Sequence, residues 1–347
     1  MDFAFTPEQA ALREAVRDLL RRDATSGRVR AADGFDAPLW TRLATELGVT
    51  SLLVPEELGG AGATLVDAGV VIEEAARTLA PVPYLSTVVA SAVADPVTAA
   101  QIGKGAAAAV ALAEKATGWD LDALSCTATA TPDGHVLHGT KDYVLDGQAA
   151  DVLLVAATLD GVPALFAVAA RDCRRTAHDT LDLTRRQARL ELDGTPAVAA
   201  GATAAHALDL LWAALAVESI GVARASLDLT VAHLRVREQF GAPLATYQAL
   251  RHRVADLFVT LEAATSSAWY ALRAAGTAEF PVVAPLAKLV ATEAAYRVTA
   301  ESIQLLGGIG FTWEHDAHLY FRRATANRAL AGDPVWLRRT IATRAGI

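Results

Sequence analysis

The first third of the chain has its apolar residues at helical spacing. Thr6-Pro7-Glu8-Gln9 combines an N-cap hydroxyl, a proline in the first turn and an acidic residue, and Leu12, Val16 and Leu19 follow at intervals of three or four. This pattern predicts a helix that begins at Pro7. Similar patterns predict further helices at about residues 38–47, 65–79 and 84–105.

The period changes between about residues 108 and 200, where short β-branched segments alternate with turn sequences such as Thr131-Pro132-Asp133-Gly134. The predicted strands are residues 108–113, 127–131, 135–137, 143–145, 151–157, 163–169 and 188–192. Beyond Ala202 the helical period returns, and long helices are predicted at residues 207–240, 248–275 and 282–306. The chain is therefore predicted to be helical, then β, then helical.

Composition argues against several classes of protein. With 347 residues, of which 53% are hydrophobic and 20% charged, the chain has material for two or three folded domains. A net charge of −8 argues against a nucleic-acid surface. Cys126 and Cys173 show no CxxC spacing and no His cluster, so neither a disulfide framework nor a metal site is expected. The acidic N-terminus is unlike a signal peptide and no run predicts a membrane span, which favours a cytoplasmic protein.

The most informative segment runs from Glu301 to Gly310, where a predicted helix ends in a glycine-dense turn. Three glycines within four positions let the backbone adopt positive φ and come close to a bulky anionic ligand. Gln304 offers an amide donor and acceptor one helical turn earlier. The segment is thus a candidate half-site for a dinucleotide, with a helix C-cap followed by a loop as the alternative.

A set of motifs resembles those of the acyl-CoA dehydrogenase family, in the family's order and over nearly the whole chain. They are Pro55-Glu56-Glu57-Leu58-Gly59-Gly60, Lys141-Asp142-Tyr143-Val144-Leu145-Asp146-Gly147, Arg237-Glu238-Gln239-Phe240-Gly241, Tyr247-Gln248 and the turn from Gln304 to Gly310. The resemblance implies an α+β, acyl-CoA dehydrogenase-like fold. This fold has an N-terminal helical domain at residues 1–107, a central antiparallel β domain at 108–201, and a C-terminal four-helix bundle at 202–347 that mediates oligomerisation.

The resemblance also implies FAD as the cofactor and an acyl-CoA thioester as the substrate. In the family, FAD lies across a subunit interface, and part of each site is lent by the neighbouring subunit. The residues that match the lent part, which reaches the pyrophosphate and adenosine end, are Arg237, Phe240, Gln248, Gln304, Gly307 and Gly308. An ion pair of Arg237 with Glu238 and a merely helix-starting role for Gln248 are the alternatives.

The part that a family member builds for its own flavin and substrate is altered in this chain. Where the family has Thr-Glu-Pro-x-x-Gly-Ser-Asp, this chain has Ala113-Glu114-Lys115-Ala116-Thr117-Gly118-Trp119-Asp120, so Ala113 and Trp119 replace two hydroxyl residues. A strand that ends Trp-Ile-Thr in the family ends Tyr143-Val144-Leu145 here. A third hydroxyl is therefore missing, at Leu145.

The family's reaction needs a carboxylate that takes an α-proton from the thioester while hydride leaves the β-carbon. Matching the motifs without gaps puts Ala331 where most members carry this Glu, and Leu211, followed by Trp212, where a minority carries it. Asp333 and Glu218, the latter about 10 Å along the helix from Leu211, are candidates for a displaced base. The alternatives are an N-cap role for Asp333 and a carboxylate paired with arginine or a partner subunit for Glu218.

We therefore expect an FAD-dependent acyl-CoA dehydrogenase that works in an α2β2 complex with a paralogous subunit. This chain would complete the partner's FAD site and lack the catalytic Glu. In the family such pairs occur among enzymes that shorten sterol or other bulky acyl side chains, which suggests fatty acid or sterol degradation. A self-sufficient homo-oligomeric flavoenzyme with a displaced base and a flavin-free structural homologue are the alternatives.

Overall fold

The computed structural model describes residues 4–347, and helices, strands and helices follow one another as predicted. Helix α1 begins at Pro7 because the Thr6 hydroxyl and the Gln9 side chain cap each other's backbone N–H groups. The segment predicted as one helix at 84–105 is two helices, since Asp95 caps a new helix that starts at Pro96. The N-terminal helices are α1 (Pro7–Asp23), α2 (Ser26–Ala31), α3 (Ala37–Glu46), α4 (Leu65–Arg77), α5 (Tyr84–Ser91) and α6 (Pro96–Gly103).

The middle of the chain forms the predicted β domain. Its strands are β1 (Ala108–Ala111), β2 (Thr127–Thr131), β3 (Gly134–Leu145), β4 (Val152–Leu159), β5 (Val162–Ala169), β6 (Arg174–Ala177) and β7 (Gln187–Ala199). The segments predicted separately at 135–137 and 143–145 are the two ends of β3, which is interrupted by irregular pairing with β7 between Lys141 and Val144. Strand β6 was not predicted.

The sheet curls into a barrel, because β2, β3, β7, β5 and β4 pair in a closed ring. Apolar side chains such as Leu137, Leu153 and Phe166 fill its interior. The prediction of an antiparallel domain is correct for most pairs but wrong for β1, which runs parallel to β4, and for the single parallel pair of Thr127 with Thr158. A parallel neighbour is possible here because the long connection through β2 and β3 separates β1 from β4 in sequence.

Long helices form the C-terminal bundle. They are α7 (Ala204–Val236), α8 (Gln248–Ala274), α9 (Phe280–Leu306), α10 (Ala317–Ala329) and α11 (Pro334–Ala345). Helix α7 ends four residues earlier than predicted, because Arg237 is extended and leads into a short hairpin of β8 (Glu238–Gln239) and β9 (Ala242–Pro243). The overall α+β arrangement is the predicted one, whereas the domain boundaries at residues 107 and 201 stay a prediction.

Helix α7 is the centre of the molecule. By length and composition it could cross a membrane, which the sequence interpretation overlooked, but 89% of its most apolar window is buried inside the protein. Its Gly221 lies against α4, where an added Cβ would be 2.6 Å from the Glu73 carbonyl oxygen and 2.9 Å from the Ala76 Cβ. This contact lets the N-terminal helices pack directly onto the bundle.

We expect Gly221→Ala to lower the free energy of unfolding by about 2 kcal/mol, because the new methyl group has to push α4 away from α7. Gly27→Ala is the matched control, since Gly27 is also helical and has no atom within 4 Å of an added Cβ. The control should be neutral or slightly stabilising. Urea denaturation measures both, and equal effects of the two variants would contradict the close packing.

Candidate functional site

The six residues of the predicted lent half-site all lie on the surface at one end of the bundle. Arg237 and Phe240 follow α7, Gln248 begins α8, and Gln304, Gly307 and Gly308 end α9. Two contacts hold these segments together: the Tyr247 hydroxyl donates to the Gln239 carbonyl over 2.8 Å, and Arg253 on α8 pairs with Glu301 on α9. We call this surface, defined by Arg237, Phe240, Gln248, Gln304, Gly307 and Gly308, the glycine-turn surface.

The glycine-turn surface has exposed backbone at Gly307 and Gly308 and an exposed cationic side chain at Arg237. An added Cβ on Gly307 or Gly308 would meet nothing within 4 Å, and Gly307 has a φ of +65°. Gly310, by contrast, packs against α9, where a Cβ would be 2.7 Å from the Ile303 carbonyl oxygen. Glycine at 310 therefore serves the fold, while Gly307 and Gly308 leave room for a ligand.

Arg237 forms no ion pair with an acid among residues 4–347, so the predicted alternative of a pair with Glu238 is not seen there. The pKa of the nearby His233 is lowered mainly by burial, and the positive charges of His315 and Arg237 lower it further. Phe240 is 91% exposed and has a φ of +55°. An exposed cation beside an exposed aromatic ring and open glycine backbone suits a phosphate-containing ligand or a partner surface.

A second feature is an open cleft of about 490 Å³ between the β domain and α10. Trp119, Tyr143, His178 and Leu330 are among the residues that line it. The His178 ring is stacked on Tyr143, with 5.8 Å between ring centroids, and its Nε2 bonds the carboxylate of buried Asp142. Aromatic side chains thus fill part of the cleft beside Leu330.

One of the three positions predicted to have lost a hydroxyl, Trp119, lines this cleft, and the other two are buried. Trp119 and Tyr143 line the cleft directly, and Ala113 and Leu145 are buried, with 0% and 4% of their surface exposed. The Ala113 carbonyl accepts a hydrogen bond from the Asp142 N–H over 2.9 Å, which holds the two segments side by side.

One hydrogen bond joins the segments that carry the two positions that correspond to the family's base, Leu211 and Ala331. The Trp212 indole N–H donates to the Ala331 carbonyl over 2.7 Å, and Leu211 and Ala331 are both buried. Ala331 is left-handed, with a φ of +57°, and the next carbonyl, of Gly332, accepts from the buried Lys288 ammonium group over 2.5 Å. Neither Leu211 nor Ala331 carries a carboxylate, and the backbone at Ala331 is held by the Trp212 indole.

Asp333 has the predicted N-cap contacts. Its carboxylate accepts from the N–H groups of Val335 and Trp336, both over 2.8 Å, and so starts α11 at Pro334. Asp333 is exposed on the surface. A carboxylate with these contacts stabilises a helix end.

Glu218 is the centre of a buried polar network that we call the Glu218 network. Its carboxylate accepts from Arg185 over 2.6 Å, from Arg323 over 2.9 Å and from the Asn327 amide over 2.8 Å. Arg323 also pairs with Asp182, and Arg185 donates to the Asn327 oxygen over 2.7 Å. Burial alone would raise the pKa of Glu218, but the two guanidinium groups lower it below its ordinary value.

Two arginines and two acids, Glu218 and Asp182, already balance the charge of this network. Asp146 is a third acid beside it and accepts a hydrogen bond from the Ser86 hydroxyl over 2.8 Å. Burial raises the pKa of Asp146 to about 6, although Arg185 and the Ser86 bond oppose the rise. The surplus carboxylate therefore favours its neutral form in mildly acidic solution.

Four buried polar residues of the site were not predicted from the sequence: Arg185, Arg323, Asn327 and Lys288. Arg323 and Asn327 are four residues apart on the buried face of α10, a polar pair where an amphipathic helix should be apolar. That spacing was an available signal. Their partner Arg185 lies in the irregular segment before β7, for which no periodic pattern exists.

Two family models match the chain: acyl-CoA dehydrogenase, N-terminal domain, over residues 6–117, and acyl-CoA dehydrogenase, C-terminal domain, over residues 201–346. The acyl-CoA dehydrogenase IpdE2 of Mycobacterium tuberculosis is 39% identical over 334 residues, which are 94% of each chain. The chain belongs to the acyl-CoA dehydrogenase family. The family predicted from the motifs is thereby confirmed.

Other similar proteins cover the chain to different extents. The acyl-CoA dehydrogenase FadE34 of Mycobacterium tuberculosis is 35% identical over 99% of this chain, which corresponds to 49% of FadE34. Among solved structures, the Tcur3481-Tcur3483 steroid ACAD G363A variant has 32% identity and a TM-score of 0.90 and covers 98% of each chain. The ChsE4-ChsE5 complex from Mycobacterium tuberculosis has 28% identity and a TM-score of 0.89, with 100% of this chain and 99% of that chain covered.

The raised pKa of Asp146 predicts a pH effect on stability. The folded state binds this proton more tightly than the unfolded state, so the contribution is present below about pH 4 and is lost as the pH rises through about 6. Asp146→Asn replaces the carboxyl group with an amide that does not ionise, so the variant keeps its stability as the pH rises. The variant should therefore gain on the order of 3 kcal/mol relative to wild type between pH 4 and pH 7, as measured by urea denaturation.

Asp160→Asn is the control for this measurement, because Asp160 is exposed and has a similar left-handed φ of +51°, against +56° for Asp146. It provides the baseline for the pH dependence of Asp146→Asn. A stability difference between Asp146→Asn and wild type that does not change with pH would contradict the raised pKa of Asp146.

Proposed function

We propose that this chain is a subunit of a heteromeric acyl-CoA dehydrogenase that completes its partner's FAD site and supplies no base of its own. The observation that carries this proposal is that the two family base positions, Leu211 and Ala331, are buried and carry no carboxylate, while the Trp212 indole donates to the Ala331 carbonyl. FAD bound at such a site would supply the acceptor for the hydride that leaves the substrate. In this proposal the proton is removed by a carboxylate of the partner.

The glycine-turn surface supports the lending role. Arg237 is exposed and can donate charge-assisted hydrogen bonds to pyrophosphate oxygens, and the backbone at Gly307 and Gly308 is open to a close approach. Gln248 and Gln304 are exposed on the same surface and offer amide donors. These residues fit the pyrophosphate and adenosine end of FAD, and they face outward, where a neighbouring subunit would bring it.

The chain's own cleft fits a flavin poorly. The positions at Ala113, Trp119 and Leu145 offer no hydroxyl, and the stacked Tyr143 and His178 rings fill part of the cleft wall. A flavin bound there would lack the three hydroxyl contacts that these positions supply in the family. We therefore assign no FAD of its own to this chain.

A displaced base is the competing proposal, and the contacts of both candidates weigh against it. Glu218 is buried and its charge is held by Arg185 and Arg323, which lower its pKa and its proton affinity. Asp333 caps α11 on the surface. A base has to reach the α-carbon of a bound thioester, whereas Glu218 faces a cavity of only about 20 Å³ and the carboxylate of Asp333 is engaged by the α11 backbone.

The partner that fits this proposal is a paralogous acyl-CoA dehydrogenase chain that keeps the base and the hydroxyl residues, in an α2β2 complex. Two of the similar solved structures, Tcur3481-Tcur3483 and ChsE4-ChsE5, are named as pairs of proteins, and the former is named as a steroid enzyme. We extend that pairing and a bulky, sterol-like acyl group to this chain, in the cytoplasm.

The chain purified alone should show no flavin absorbance near 450 nm and should not oxidise an acyl-CoA. Co-expression with a paralogous acyl-CoA dehydrogenase chain should yield a complex that has both properties. The measurements are the visible spectrum and the reduction of an artificial electron acceptor. Stoichiometric FAD and turnover by the lone chain would contradict the proposal.

In that complex, Arg237→Ala should weaken FAD binding by roughly thirtyfold, because one charge-assisted hydrogen bond contributes about 2 kcal/mol. Arg339→Ala is the matched control, since Arg339 is also exposed but lies on α11. FAD released on gel filtration measures both. Equal retention of FAD by the two variants would remove Arg237 from the site.

A further inference from the structure

The Glu218 network fills a space whose far wall is apolar. A residual cavity of about 20 Å³, with room for about one water molecule, remains beside Arg185, Glu218 and Arg323. On the other side of this cavity, α4 and the residues that lead into α5 contribute an apolar wall. That wall consists of Ile72, Ala75, Ala76, Ala80, Val82 and Leu85. The guanidinium groups of Arg185 and Arg323 therefore face apolar side chains across this cavity.

The network is also near both base positions along the chain. Glu218 is seven residues beyond Leu211 on α7, which is about 10 Å, and Asn327 lies one helical turn before Ala331. The open cleft lined by Trp119 and Tyr143 also has Leu330, the residue before Ala331, in its wall. An acyl chain that entered from the cleft and ran past the base positions would meet Arg185, Glu218 and Arg323.

We infer that the Glu218 network is a plug that closes this chain's own acyl pocket, so that acyl-CoA is bound with its chain inserted only in the partner subunit. The inference rests on the proposed function for the class of ligand, an acyl-CoA. It adds which residues exclude the acyl chain and how many acyl groups the complex holds. The plug is stable because each buried charge has a partner of opposite sign.

The first test uses the wild-type chain alone and isothermal titration with butyryl-CoA and decanoyl-CoA. An acyl chain that enters an apolar pocket gains about fourfold in affinity for each buried methylene. With the plug in place, the two ligands should bind equally weakly or not at all. Affinity that rises tenfold or more from butyryl-CoA to decanoyl-CoA would overturn the inference.

The second test opens the plug without leaving a charge unpaired. Arg185→Ala with Glu218→Ala removes one positive and one negative charge and keeps the Arg323 pair with Asp182. This double variant should bind decanoyl-CoA at least tenfold more tightly than butyryl-CoA. Arg185→Met with Glu218→Met is the control, since it removes the same charges but keeps the space filled, and it should behave like wild type.

If the opened variant folds but shows no preference for the longer chain, no latent pocket exists and the inference is wrong. If the variant does not fold, the number of decanoyl-CoA molecules bound by the wild-type complex is measured instead. One molecule per pair of unlike subunits supports the plug, and two molecules per pair overturn it. These readouts are separate from flavin content. A lone chain that holds FAD but shows no chain-length dependence would refute the proposed function and leave the plug intact.

Discussion

The carboxylate of Glu218 between Arg185 and Arg323 is the interaction on which the arrangement of the domains depends. Glu218 belongs to α7, Arg323 to α10, and Arg185 to the segment that precedes β7. Asp146 and Ser86 continue the polar contacts beside this network to α5 in the N-terminal domain. Buried charges are tolerated only when each has a partner, and removing one partner typically costs 3–5 kcal/mol, so these elements have little freedom to move apart.

The same constraint determines the chemistry that the chain can perform. A carboxylate that accepts hydrogen bonds from two guanidinium groups and an amide is a poor proton acceptor, and the volume it occupies is closed to ligands. Leu211 and Ala331, at the two base positions, are buried and carry no acid, and the Trp212 indole is bonded to the Ala331 carbonyl. The interior is therefore built for rigidity, and the residues still suited to a dinucleotide lie on the surface around Gly307 and Gly308.

Features that depend on neighbours in sequence could be predicted, and features that depend on distant contacts could not. The start of α1 at Pro7 and the capping role of Asp333 followed from side chains that bond backbone within three residues. Matching the motifs also predicted Leu211 and Ala331 as the two alternative positions of the family's base. In the structure, the hydrogen bond from Trp212 to Ala331 joins the two segments. The partners of Glu218 were missed because Arg185 and Asn327 are 33 and 109 residues away from it in the sequence.

The FAD content of the purified complex with a paralogous subunit tests the central claim most directly. A chain that lends half a site but builds none should give one FAD for each pair of unlike subunits, measured by flavin absorbance after denaturation against protein concentration. Two FAD molecules per pair would show that this chain holds a flavin of its own, and would contradict its assignment as the lending subunit.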